Sequence, residues 1–102
     1  MALSAFPKLH FREPFEDRVA FEVPSKGWYN GVTVELEDWR KYPLFFYDPI
    51  RLAQDLEAEV AQGLPFVAEP FMIVVPEITE AAMCSAVSLL YKRGWFDEHN
   101  AI

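Results

Sequence analysis

Two segments alternate between an apolar face and a mainly polar one. Val32, Val34 and Leu36 lie opposite Thr33, Glu35 and Glu37, and Val19, Phe21 and Val23 lie opposite Arg18, Ala20 and Glu22. A period of two marks a strand with one buried and one wet face, so each segment predicts a strand. Leu9 and Phe11, alternating with His10 and Arg12, predict a shorter one before them. Phe71 to Val75 is different: five apolar residues in a row between Pro70 and Pro76. With no polar position to face water, that run predicts a central strand covered on both faces. Leu44 to Tyr47, apolar throughout, predicts another.

Two stretches repeat at spacings of three and four instead. Leu52, Ala53, Leu56 and Val60 mark the buried stripe of a helix that starts at Asp48-Pro49. Aspartate can cap the free N–H groups there, and proline at the first helical position loses no hydrogen bond. Gly63 ends this helix and Pro65 keeps it from resuming. Arg51 and Asp55, four residues apart, pair on its outer face. Ile78, Ala82, Met83, Ala86, Val87, Leu89 and Leu90 mark a second helix, capped by Thr79 and closed by Gly94. Glu77 and Glu80 lie near its positive end, and Lys92 and Arg93 near its negative one. Pro24 to Gly27 and Asn30-Gly31 read as turns, and 38–43 as a polar-aromatic loop.

The resulting order is β-β-β-β-α-β-α. Strands 44–47 and 71–75, joined through a helix, should run parallel with a right-handed crossover, and the earlier strands should form an antiparallel meander. The expectation is one α+β domain over residues 1–102. It is a two-layer sandwich of a mixed, mainly antiparallel sheet with two helices on one face. The tail from Trp95 to Ile102 should pack through Trp95 and Phe96.

Composition narrows the function more than it names it. The chain has 102 residues, 52% hydrophobic and 16% aromatic, which suits a single packed domain. Its net charge is −7, from 16 acids against nine basic residues, so no basic stripe exists to neutralise phosphates, and nucleic-acid binding is not expected. No apolar run approaches a membrane span and the N-terminus lacks the pattern of a signal peptide. One cysteine cannot form an internal disulfide, and together these features favour a soluble, cytoplasmic protein.

Recognisable chemistry is sparse. Cys84 lies mid-helix among small residues and reads as a buried structural thiol. His10 and His99 sit in no ligand motif, so no metal or other cofactor is expected. Glu35 and Glu37 project from one strand face and read as solvated acids rather than an acid–base pair. The four glycines stand at turns and helix ends, with no phosphate-binding loop, and no nucleophile motif appears.

What remains is aromatic. Trp28, Tyr29 and Asn30 fall in a loop at the end of the sheet where both helices begin, and Trp39 and Tyr42 fall at the opposite end. Tryptophan and tyrosine in loops are typical interface anchors, and the competing expectation is that both pairs fold back as lids on the core. The expected function is therefore a small acidic, non-catalytic module that binds another protein, of basic charge, in a regulatory or immunity-like role. The alternative is a ligand-binding domain or enzyme that uses Trp28, Tyr29, Asn30, Asp48, Glu77 and Thr79 at the strand ends. Ala81, Ser85 and Ser88, spaced by four and three, mark a helix face on which a second copy would pack, so a homodimer is also expected.

Overall fold

The computed structural model describes residues 6–98. In chain order the elements are β1 (Lys8–Phe11), α1 (Asp17–Lys26), β2 (Trp28–Glu35), β3 (Lys41–Tyr47), α2 (Pro49–Ala61), β4 (Met72–Val74) and α3 (Glu80–Lys92), followed by a 3-10 turn, Trp95–Glu98. The strands form one four-stranded sheet in the order β1-β2-β3-β4. The first two pairings are antiparallel and β3–β4 is parallel, so the sheet is mixed and the fold is α+β.

The alternation in β2 does what its pattern requires. Val32, Val34 and Leu36 are buried, and they meet Tyr42, Leu44 and Phe46 of β3 and Ile73 and Val75 from the β4 segment in one core. Val23 of α1 and Met83 and Val87 of α3 cover that face. α3 begins as expected: the Thr79 hydroxyl accepts a hydrogen bond from the Ala82 N–H at 3.1 Å. Ile78 before the cap and Met83 at the fourth helical position are both fully buried, as a hydrophobic staple demands.

Pro43 stands in the interior of β3. Phe45 N–H and Tyr47 C=O both bond toward β4, so the same alternation turns the Pro43 nitrogen to that side. β4 pairs only with residues 45–47, and a missing N–H at Pro43 therefore costs no ladder bond.

Six expectations are corrected. Arg18–Val23 is not a strand but the body of α1, so the order is β-α-β-β-α-β-α. Six alternating residues also place Val19 and Val23 four apart on one helical face, and Phe21 then points away, 78% exposed. Pro24 lies within the last turns of this helix rather than starting a turn, and Gly27, at φ 80°, closes it with its N–H bonded to the Val23 carbonyl. Asn30-Gly31 is not a turn either. It forms a bulge inside β2, so Trp28 and Tyr29 belong to a strand. A Cβ at Gly31 would stand 2.7 Å from the Tyr29 hydroxyl, so a larger residue there would push that ring aside.

The run Phe71–Val75 is not the central strand. β4 is an edge, and Val74 is 45% exposed. Nor do two helices share one face alone. α1 and α3 cover the core face, while α2 contributes no residue to that core. Tyr47, one position out of phase with Phe46, hydrogen-bonds Asp55 of α2 at 2.7 Å, so α2 lies against the other face. Its expected buried stripe is largely open: Ala53, Leu56 and Val60 are exposed and Leu52 is half-buried.

Candidate functional site

The structure separates the aromatic candidates into three environments. Trp28 is half-buried, stacked on Phe45 with ring centroids 6.0 Å apart, and the Lys26 ammonium sits 4.3 Å from its ring centre. Tyr29 packs edge-on against Phe15 and donates to the Gly31 carbonyl at 3.1 Å. Burial pushes its phenol up, an effect that the nearby Arg12 charge opposes. Asn30 is exposed beside them. With Arg12 and Lys26 these residues line a cleft of about 190 Å³. The other polar groups expected there are employed elsewhere. Asp48 caps α2 by accepting the Arg51 N–H at 2.7 Å, Thr79 caps α3, and Glu77 is exposed ahead of it.

Tyr42 is a core residue. It is fully buried, and its hydroxyl donates to the Phe96 carbonyl at 2.8 Å, so it is not a surface contact. Trp39, three residues away, is the reverse at 81% exposed. It occupies the tip between β2 and β3 with φ 73°, a left-handed conformation that bulky residues rarely adopt. The tip is braced on both sides. Leu36 N–H bonds the Arg40 carbonyl at 2.8 Å and Trp39 N–H bonds the Leu36 carbonyl at 3.1 Å. The Asp38 carboxylate takes both the Arg40 side chain, at 2.7 Å, and the Arg40 backbone N–H. Those bonds from Arg40 hold the Asp38 carboxyl below its usual range. The same guanidinium reaches Asp97 at 2.8 Å, tying the tip to the C-terminal turn. An indole is thus held out into solvent by a backbone that cannot easily fold it back.

A third surface was not anticipated. α2, the segment 64–69 and Tyr47 enclose a groove of about 340 Å³. Its apolar wall includes Leu64 and Phe66, and its carboxylates are Asp55, Glu59 and Glu69. The Arg51–Asp55 pair expected on the outer face of α2 does form, at 2.9 Å, but turned inward, where Asp55 also accepts the Tyr47 hydroxyl. Desolvation pushes Asp55 up, yet the bonds from Tyr47 and Arg51 outweigh it and hold the carboxyl below its usual range. Burial, then the bond to Asp55, pushes the Tyr47 phenol up to about 12. Neither group is therefore poised to exchange a proton near neutral pH. The sequence signal for this groove was present in Leu64-Pro65-Phe66-Val67, an apolar stretch just past a helix stop, which a loop has no need of.

The remaining candidates fall apart as sites. Glu35 binds His10 at 2.7 Å while Glu37 contacts the Tyr91 hydroxyl, so the two carboxylates serve different partners. His99 lies outside the described residues. Among the described residues no three His, Cys, Asp or Glu side chains are grouped to hold a metal ion. Cys84 is exposed, contrary to expectation, because Met83 and Val87 take the inward positions of α3. Partial burial, and then Glu80, push its thiol up. Ala81, Ser85 and Ser88 also face outward. No helix among the described residues is long and apolar enough to cross a membrane. No family model, no curated protein and no solved structure matches the chain.

Proposed function

We propose that this chain is a small acidic, non-catalytic interaction module that binds another protein of basic charge in a regulatory or immunity-like role. The observation that carries the proposal is Trp39, an indole 81% exposed on a braced hairpin tip. Folding gains nothing from an exposed tryptophan in a left-handed conformation, whereas an interface gains a large, rigid anchor whose ordering cost is already met. The net charge of −7 adds the sign of the partner, because complementary charge speeds encounter and rejects acidic competitors. A cytoplasmic setting and pairing of two copies through α3 belong to the same proposal. Their support is the lone cysteine and the outward-facing Ala81, Ser85 and Ser88.

The alternative, a ligand site at the strand ends, has the cleft beside Trp28, Tyr29 and Asn30 in its favour. It is the weaker proposal, because Asp48 is committed to capping and Glu77 is not among the lining residues.

Affinity capture from the native cell, with unmutated and Trp39→Ala protein side by side, tests the proposal. A specific protein should be retained by the unmutated chain, released by moderate salt, and bound roughly thirty-fold or more weakly by the variant. Failure to retain any specific protein, or equal retention by both chains, would overturn it.

A further inference from the structure

The groove beside α2 holds an unbalanced charge. Glu59 is half-buried in it, and neither Glu59 nor Glu69 has an ion-pair partner among the described residues. Asp55 is ionised and already shared between Arg51 and Tyr47. In the same lining, Phe66 is 59% exposed and Leu64 also faces solvent. Exposed apolar side chains beside carboxylates without ion-pair partners together describe an occupant that is apolar along its length and cationic at one point.

We propose that this groove receives an arginine-bearing apolar segment of the protein partner, the guanidinium meeting Glu59 and Glu69 and its neighbours packing on Leu64 and Phe66. The proposal rests on the protein-binding function proposed above and adds a second contact region to Trp39. Charge excludes the other occupants. A second copy of this chain would bring the same carboxylates against themselves, and a phosphate or an anionic membrane surface would be repelled by them. An added strand is disfavoured by the backbone. In the parallel ladder, residues 71 and 75 bond to β3, which leaves only the amides of Met72 and Val74 on the open edge, bracketed by Pro70 and Pro76.

Arginine fits better than lysine for three reasons. Its planar fork can bond two carboxylates at once, whereas an ammonium is a compact, strongly hydrated point charge. Its face can lie on the exposed Phe66 ring. Its stem covers apolar surface such as Leu64 while the head reaches the acids.

The test uses three blocked ten-residue peptides with apolar residues at spacings of three and four around one central arginine, lysine or citrulline. Binding to the full chain is followed by amide shifts in two-dimensional NMR. The arginine peptide should give saturable shifts confined to residues 47 and 55–69. Citrulline, which keeps the shape and removes the charge, should weaken binding at least ten-fold, and lysine should fall between. Glu59→Gln with Glu69→Gln should weaken the arginine peptide by a similar factor. Glu16→Gln with Glu98→Gln, the same charge change away from the groove, should not. Equal binding of arginine and citrulline peptides, or equal loss from both pairs of variants, would overturn the assignment. A captured partner that is lost by Trp39→Ala but held unchanged by Glu59→Gln with Glu69→Gln would leave the module standing and overturn the groove.

Discussion

Phe46→Ala should lower the free energy of unfolding by about 3–5 kcal/mol, while Val74→Asp should leave a soluble protein with a nearly unchanged melt. Phe46 is fully buried in β3, between β2 and β4, so its removal leaves a cavity that neighbours on three elements cannot jointly fill. Against a total of about 5–15 kcal/mol for a domain of ordinary stability, that is a large fraction. Val74 sits on the outer strand at 45% exposure, where a carboxylate can reach water directly. Urea titration followed by circular dichroism measures both. A severe defect from Val74→Asp with mild loss from Phe46→Ala would restore Phe71–Val75 as the central strand.

Phe96→Ala should cost a similar amount, about 3–5 kcal/mol, although it lies only a few residues from the end of the described chain. Its ring is buried against Tyr42, with centroids 5.3 Å apart, and against Trp95 at 5.0 Å. Tyr42→Phe isolates the polar part of the same latch. It removes the 2.8 Å bond to the Phe96 carbonyl and should cost about 1–3 kcal/mol, because that carbonyl then keeps only a weak 3.5 Å bond from Arg40. Both variants should also loosen the Arg40–Asp97 tie that braces the Trp39 tip. Chemical denaturation gives the energies, and an unchanged midpoint for Phe96→Ala would mean that the C-terminal turn is not docked.

The sequence was most legible where one pattern had one physical meaning. Val32, Val34 and Leu36 could only face inward, the Asp48-Pro49 and Thr79 caps announced their helices, and strand-helix-strand spacing implied the parallel pair. It misled where a short pattern had two meanings. Val19, Phe21 and Val23 alternate like a strand, yet Val19 and Val23 also share a helical face, and Pro24 masked the last turn of α1. Five apolar residues from Phe71 to Val75 implied cover on both faces, but apolarity does not record a strand's place in the sheet, and on this edge Val74 stays exposed. The stripe of α2 and the side chains of Leu64 and Phe66 are likewise apolar yet exposed. Of the candidate residues, Trp39 proved exposed and Tyr42 buried. Their spacing of three could not sort them, because the hairpin geometry set by Asp38 and Arg40 decides which one leaves the core.

Hydrogen exchange of this chain, free and bound to its captured partner, tests the proposal that it binds through Trp39 and the groove beside α2. Exchange should slow on binding at two places, the hairpin tip at residues 36–40 and the α2–loop segment at residues 55–69, with the amides of 28–31 unchanged. Protection confined to residues 28–31, with the tip and the groove exchanging as in the free protein, would contradict it.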